Sequence, residues 1–191
     1  MENLLLIFLG AAVVNNFVLY RFLGLCSFLG ISKKTKSAFG MGLAVIFVTT
    51  ITSVVTWAVY NYLLNPFGLR FLEYAVFILV IATLVQMIEA FLRKKFYTIY
   101  ESFGIYLPLI TTNCVILAVA ILNITNDYDF VESTIFSVGA GVGYTMALLI
   151  MSGIRERLEL ADVPESLDGI PLAFIIAGIL ALAFSGFGGI T

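Results

Sequence analysis

Long apolar runs constrain this chain more than any other feature of its sequence. The 191 residues are 61% hydrophobic and only 12% charged, which is about half the charged fraction of an ordinary soluble domain. Several runs exceed the roughly 20 residues that a helix needs to cross a bilayer. We therefore predict an all-α integral membrane protein with a single membrane domain over residues 1–191. Six transmembrane helices are predicted, over residues of about 3–30, 38–64, 72–92, 98–124, 131–154 and 171–190.

The composition also excludes several classes of function. The chain has no histidine, so common proton relays and most zinc and haem sites lack their usual ligand. The net charge of −2 says nothing about nucleic acid, but the basic residues form no stripe that could bind it. No basic segment precedes the first apolar run, so we expect a retained first span and not a cleaved signal peptide.

The basic residues lie almost entirely in alternate loops. Eight of them follow spans one, three and five, and only Arg70 lies in a loop on the other side. The eight are Lys33, Lys34, Lys36, Arg93, Lys94, Lys95, Arg155 and Arg157. Because short cytoplasmic loops are enriched in Lys and Arg, the pattern predicts a multi-pass protein with both termini outside the cytoplasm.

The six spans divide into two halves, at about residues 1–95 and 96–191. Three spans per half is an odd number, so related halves would have opposite orientations in the membrane. Cys26 and Cys114 occupy the first span of each half, and glycine-rich stretches occur in the second, at 40–42 and 139–143. These matches in the same order predict an inverted 3+3 repeat with a site near the midplane.

Helix-breaking residues accompany both cysteines. Gly24 precedes Cys26, and Pro108, two threonines and an asparagine precede Cys114. In continuous helices Cys26 would lie about 10 Å, and Cys114 about 28 Å, from the cytoplasmic ends of their spans. Breaks at Gly24 and at residues 108–113 would bring both thiols to one depth. We therefore predict broken first and fourth helices. Thr111, Thr112 and Asn113 would be non-helical, with their backbone N–H groups turned toward the thiols, and Gly24 would do the same from the other half.

Two interpretations of the cysteines follow from the residues alone. Free cysteine is among the most buried residue types, so both thiols could simply pack in the interior. Two thiolates are also half of the four that hold a [2Fe–2S] cluster, and a partner chain would then supply the others. The two cysteines form no CxxC spacing, which at this point favours packing.

Two charged residues lie within apolar runs. Arg21 is five residues before Cys26. Its side chain either extends to the membrane surface or provides a cation that balances negative charge at the cysteines. Glu89 is four residues before Arg93, which favours an i,i+4 ion pair over cation binding.

Hydroxyl side chains line one face of span two, and glycines crowd span five. The hydroxyls belong to Thr49, Thr52 or Ser53, and Thr56. Such groups in membrane helices usually bond their own i−4 carbonyls, which favours packing over an ion path. The glycines follow no strand, so we interpret them as a site of close helix approach and not as a nucleotide-binding loop.

Several motifs along the whole chain resemble those of the RnfA/NqrE family. They are Asn15–Leu19, Phe22–Cys26, Ser32–Lys34, Gly104–Cys114, Ile154–Leu158, Ala161–Pro164 and Ala183–Gly189. Thr112 before Asn113, and the Ile154–Leu158 string, resemble the RnfA branch more than its counterpart in the Na⁺-translocating NADH:quinone oxidoreductase. Ser27 stands where RnfA proteins often have proline, and Ala118 where glycine is usual.

This resemblance implies a function that the residues alone do not. It implies a component of a prokaryotic cytoplasmic-membrane complex that passes electrons between ferredoxin and NAD and translocates Na⁺ or H⁺. A homologous six-helix protein of the same complex, RnfE, would share one [2Fe–2S] cluster with this chain, alongside the other Rnf subunits. Cys26 and Cys114 would be metal ligands, and Gly24, Leu25, Thr112 and Asn113 would line the cluster. The alternatives are a redox-silent ion-translocating or assembly subunit with structural cysteines, or the equivalent subunit of a Na⁺-translocating NADH:quinone oxidoreductase.

Overall fold

The computed structural model describes residues 2–68, 70–95, 107–159, 164 and 169–186. These described residues form helices and no strand. The helices are α1 (Glu2–Leu9), α2 (Leu25–Ile31), α3 (Thr35–Val59), α4 (Glu73–Lys95), α5 (Leu107–Thr111), α6 (Cys114–Thr125), α7 (Phe130–Leu158) and α8 (Ile170–Ser185). Gly10–Val14 and Tyr60–Leu64 are π-helical, Asn65–Phe67 is a helical turn, and Arg70–Leu72 is a 3₁₀ turn.

Among the residues that the structure describes, three helical stretches are long and apolar enough to cross a membrane, namely Thr35–Phe67, Arg70–Phe91 and Phe130–Leu158. Three shorter apolar stretches accompany them, at Leu4–Val14, Leu109–Thr125 and Ile170–Ser185. In order along the chain, these six stretches fall within or close to the six predicted spans. The first stretch ends at Val14, before the non-helical residues 15–24, and the fourth contains a break at Thr112 and Asn113. An all-helical architecture with several apolar helices is therefore confirmed.

Helices α3 and α7 form the centre of the molecule and pack through glycine. A Cβ atom on Gly141 would lie 2.9 Å from Cα of Ile46, and one on Gly42 would collide with Thr145. A second glycine face of α7 meets the first run, since a Cβ on Gly143 would lie 2.6 Å from the Ala12 carbonyl oxygen. Small residues let helix backbones approach this closely in membranes. The prediction of close approach at the glycines of span five is confirmed.

The first break is longer and begins earlier than predicted. Helix α1 passes into the π-helical segment, and residues 15–24 are non-helical before α2 begins at Leu25. Gly24 is the last residue of this break, whereas the prediction placed the whole break at Gly24. The reason is Asn16, which is fully buried. Its side-chain amide donates to the Gly143 carbonyl at 2.8 Å, and its Oδ1 accepts from the Val18 and Leu19 N–H groups, so the backbone that leaves the helix finds partners inside the protein.

The second break is shorter than predicted. Thr112 and Asn113 are non-helical, but Thr111 and Pro108 belong to α5, so the prediction for those two residues was wrong. Pro108 is helical in α5 because the proline ring fixes φ at about −65°, a value that a helix accommodates. The chain turns only where the Asn113 N–H donates to the Ile110 carbonyl at 3.1 Å.

The two ends of the central helix pair differ in charge. At one end the Arg155 guanidinium donates to the Leu29 carbonyl at 2.8 Å, and the Thr35 N–H donates to Glu156 at 2.8 Å. Lys33 lines a cavity at this end together with Arg155. The opposite end carries Asp127, Asp129 and Glu132 around a second cavity. The predicted salt bridge of Glu89 involves the Arg93 side chain, which lies outside the described residues.

Candidate functional site

The two cysteine segments meet in the fold although 88 positions separate Cys26 from Cys114 in the sequence. The Gly24 backbone N–H donates to the Cys114 Sγ at 2.9 Å. Cys26 follows two residues later, in the first turn of α2. The depth offset of roughly 18 Å expected for unbroken helices is therefore absent. The predicted backbone donor at Gly24 is present, whereas the Asn113 N–H, which was also predicted to face the thiols, donates to the Ile110 carbonyl instead.

The predicted site residues differ in exposure. Cys26 is exposed on the surface of the chain, and Cys114 is half-buried. Gly24 and Asn113 are buried, Leu25 is half-buried as the first residue of α2, and Thr112 is exposed within the second break. The site is thus open on the Cys26 side and closed behind Cys114.

Cys114 is the first residue of α6, and Asn113 caps this helix. The Asn113 Oδ1 accepts from the Val115 N–H at 3.1 Å. Asparagine is among the preferred N-cap residues because its side chain pairs a backbone donor that the helix leaves free. Cys114 therefore lies at the positive end of the α6 helix dipole, where negative charge is favoured.

Gly24 is required at its position for two reasons. Its φ is +77°, a conformation that other residues rarely adopt. In addition, a Cβ at this position would lie 2.8 Å from Val115 Cγ2, 3.2 Å from Tyr144 Cε2 and 3.3 Å from Asn113 Oδ1. Phe22, two residues earlier, also has a positive φ of 55°. Strained backbone of this kind in a bulky residue is typical of functional sites.

A buried polar network lies behind the cysteines, and sequence reasoning missed it. The Tyr144 hydroxyl donates to the Ser27 Oγ at 2.8 Å, and the Asn113 side-chain amide donates to the same oxygen at 3.4 Å. The Ser27 hydroxyl in turn donates to the Gly24 carbonyl at 3.1 Å. Only one feature of the sequence could have indicated this network: Ser27 stands where RnfA proteins often have proline. No feature of the sequence indicated a role for Tyr144.

Two arginines near the site have structural partners. Arg155 donates to the Leu29 carbonyl and, at 2.9 Å, to the Ser32 hydroxyl, and so caps the C-terminal end of α2. Arg21 is exposed, with its guanidinium 5.9 Å from the centre of the Phe17 ring, within range of a cation–π contact.

The donor set fits half of an iron–sulfur site. A [2Fe–2S] cluster needs four protein ligands, usually thiolates, and the chain has two cysteines. Within the described residues no group of three or more metal-ligating side chains occurs. The two thiols, the Gly24 N–H and the α6 N-terminus suit an anionic cluster, and the exposure of Cys26 leaves room for ligands from another chain.

Fold and site together define an all-helical membrane protein with a paired-cysteine site at two helix breaks. Comparison with known families agrees: residues 4–191 match the Rnf-Nqr subunit family of membrane proteins. The chain belongs to this family.

Similar proteins in three organisms cover almost the whole chain, and each is named as the A component of its complex. One, from an ion-translocating oxidoreductase complex of Syntrophotalea carbinolica, is 54% identical over 190 residues, 100% of this chain and 98% of the relative. Another, from a proton-translocating ferredoxin:NAD(+) oxidoreductase complex of Clostridium ljungdahlii, is 49% identical over 99% of this chain and 98% of the relative. A third, from a Na(+)-translocating ferredoxin:NAD(+) oxidoreductase complex of Acetobacterium woodii, is 49% identical over 98% of this chain and 97% of the relative.

Proposed function

We propose that this chain is the RnfA-type membrane subunit of a redox-driven ion pump. The complex couples electron transfer between ferredoxin and NAD to translocation of Na⁺ or H⁺. Cys26 and Cys114 are two of the four ligands of an intramembrane [2Fe–2S] cluster, and a homologous six-helix subunit supplies the other two. The observation that carries the proposal is the 2.9 Å hydrogen bond from the Gly24 N–H to the Cys114 sulfur. It joins the two breaks at the cysteines.

The names of the relatives support the coarser part of the proposal. All three are subunits of ion-translocating oxidoreductase complexes, and two of the names specify ferredoxin and NAD(+). The family description includes both Rnf and Nqr, whereas these two relatives belong to complexes of the ferredoxin type. We therefore favour the Rnf complex over the Na⁺-translocating NADH:quinone oxidoreductase.

Contacts between α3 and α7 support an inverted repeat. In sequence, Gly42 and Ile46 of α3 align with Gly141 and Thr145 of α7. The contact of Gly42 with Thr145 then corresponds to that of Gly141 with Ile46. Thr35 contacts Ser152 at 3.0 Å. In the same alignment, the equivalent pair is Thr134 and Ser53. The Ser53 hydroxyl in fact donates to the carbonyl of Ser133, the residue next to Thr134. Pairs related in this way are expected for two halves around a pseudo-twofold axis.

The chain's own residues would prepare the site for negative charge. When bound, the cluster supplies a one-electron relay inside the membrane. Gly24 donates a hydrogen bond to a ligand sulfur, and the α6 N-terminus places positive potential at Cys114. The network of Ser27, Asn113 and Tyr144 fixes the two cysteine-bearing helix starts relative to each other.

The orientation follows from the charge distribution. Lys33, Arg155 and Glu156 share one end of the helix pair, and the acidic cavity lies at the other. With the basic end in the cytoplasm, both termini are extracytoplasmic. Impermeant labelling of cysteines introduced at Lys34 and Asp127 in intact cells tests this. Labelling of Lys34→Cys from outside would contradict the proposed orientation.

The ligand assignment is tested by Cys26→Ser and Cys114→Ser in the subunit purified with its homologous partner. Each variant is expected to lose iron, acid-labile sulfide and the EPR signal of the reduced cluster, and the whole complex is expected to lose electron transfer while it still assembles. Thr83→Ser on α4, whose hydroxyl bonds the Leu79 carbonyl, is the matched control. Wild-type iron content in both cysteine variants would favour the alternative of a redox-silent subunit with packing cysteines.

A further inference from the structure

A second buried polar cluster lies between α3, α6 and α7, away from the cysteines. The Asn123 side-chain amide donates to Ser53 at 2.7 Å and to Ser137 at 3.3 Å, and both serine hydroxyls donate to the Ser133 carbonyl. Asn123 is 2% exposed and Ser133 is 1% exposed. Four polar side chains thus gather inside what is otherwise an apolar helix bundle.

This cluster is short of donors. Among the described residues, three buried side-chain oxygens have no hydrogen-bond partner: Thr52 Oγ1, Asn123 Oδ1 and Ser133 Oγ. Two of them belong to the cluster itself, and Thr52 adjoins Ser53 on α3. Thr49 and Thr56 instead bond the i−4 carbonyls, as the sequence predicted, so Thr52 is an exception on its own helix face. Unpaired buried oxygens in a native structure call for an explanation such as a water or an ion.

A cavity connects Asn123 to the acidic end of the molecule. It has a volume of about 310 Å³, and its lining includes Asn123, Asp127, Asp129 and Glu132. No Lys or Arg is among its described lining residues. The α6 C-terminus also lies here, and a helix C-terminus favours cations. Asn123, whose side-chain oxygen has no hydrogen-bond partner, is therefore part of the lining of a cavity that also carries three carboxylates.

We propose that Asn123 and Ser133, with Thr52 beside them, bind a sodium ion on its path through the membrane, and that the acidic cavity is the extracytoplasmic mouth of this path. The inference rests on the proposed function as an ion-translocating subunit. Sodium is favoured over a proton because the cluster offers neutral oxygens, the ligands that hard cations prefer, and no acidic or basic side chain. Intramembrane polar groups that face a cavity commonly mark ion pathways.

Ser133→Ala is the most informative variant. It removes an oxygen that makes no hydrogen bond, so a purely structural role predicts no loss of stability. Thr134→Ala is its matched control, since the neighbouring hydroxyl is exposed and bonds the Phe130 carbonyl. Thr52→Val and Thr50→Val form a second pair, because Thr50 bonds the Ile46 carbonyl at 2.8 Å.

The purified whole complex is assayed for ²²Na⁺ binding, and in proteoliposomes for the Na⁺ dependence of ferredoxin-driven NAD reduction. Ser133→Ala and Thr52→Val are each expected to weaken Na⁺ binding about tenfold, as for the loss of one oxygen contact to a charged group, while both controls stay close to the wild type. Wild-type Na⁺ affinity in Ser133→Ala and Thr52→Val, or no Na⁺ binding by the wild-type complex, would overturn the inference and leave the oxygens as a water site. Failure of the proposed function would give a different result: the wild-type complex would show no cluster EPR signal and no electron transfer at any Na⁺ concentration.

Discussion

The break in the first apolar run occupies ten residues, 15–24, whereas the break before α6 occupies only Thr112 and Asn113. Each break contains one buried asparagine that pairs freed backbone groups. Asn16 bonds the distant Gly143 carbonyl, while the backbone partners of Asn113 are its near neighbours Ile110 and Val115. The comparison teaches that a helix can be interrupted locally by a cap, but that a long interruption in a membrane needs a partner helix to supply hydrogen bonds.

The largest difference is expected at Gly24, which joins the two breaks. Gly24→Ala combines an unfavourable positive φ with a Cβ 2.8 Å from Val115, at a cost of about 3 kcal/mol. We expect it to abolish the EPR signal of the cluster. Gly68→Ala also has a positive φ but no atom within 4 Å of its Cβ, so it should cost only about 1 kcal/mol. Equal effects of the two variants on thermal inactivation would show that contact with the second break is unimportant.

Gly139→Leu tests whether disturbed helix packing alone lowers the iron content. Its Cβ would lie 2.9 Å from the Phe8 carbonyl oxygen, so the variant separates the first run from α7 without touching either cysteine. We expect less assembled complex but a normal iron content per assembled complex, whereas Gly24→Leu should lower the iron content itself. Quantitative immunoblotting with iron analysis separates the two. A greater iron loss in Gly139→Leu than in Gly24→Leu would reverse our ranking.

Substitution of Asn16, in the longer break, should lower the stability of the protein more than substitution of Asn113, in the shorter break. Asn16→Ala leaves two backbone N–H groups and the Gly143 carbonyl without this side chain, a loss of about 2–4 kcal/mol. Asn113→Ala removes a helix cap, which typically costs about 1 kcal/mol, and Asn113→Ser retains it. Thermal inactivation of the purified complex ranks them. An Asn113→Ala midpoint below that of Asn16→Ala would refute the importance of the distant bond.

The smallest difference between paired variants is expected in the network that connects α7 to both breaks. Ser27→Ala leaves the Tyr144 hydroxyl and the Asn113 amide without their acceptor, at about 1–3 kcal/mol, while Tyr144→Phe removes one hydrogen bond, at about 1 kcal/mol. Because they share a bond, the double variant should cost less than the two single losses together. A midpoint shift equal to the sum would mean that the two groups do not interact.

The sequence predicted the parts of this fold that depend on local chemistry. Apolar length located the helices, and glycine, proline and asparagine near Cys26 and Cys114 located the interruptions. It did not predict the pairing of Asn16 with Gly143 or of Ser27 with Tyr144, because such pairs are separated by more than 100 positions and are set by how α7 packs. Pro108 and Thr111 were predicted to belong to the second break, but both are helical in α5, because the proline ring fixes φ at about −65°, a value that a helix accommodates.

The bond between Asn16 and Gly143 has a consequence for biosynthesis. These residues are 127 positions apart, so the first run leaves the ribosome long before its partner exists. Until α7 is inserted, the side chain of Asn16 lacks its partner on that helix. Before that point, the first run must adopt another conformation or be shielded from lipid. Maturation of the Cys26 segment is therefore a late event, which follows synthesis of most of the chain.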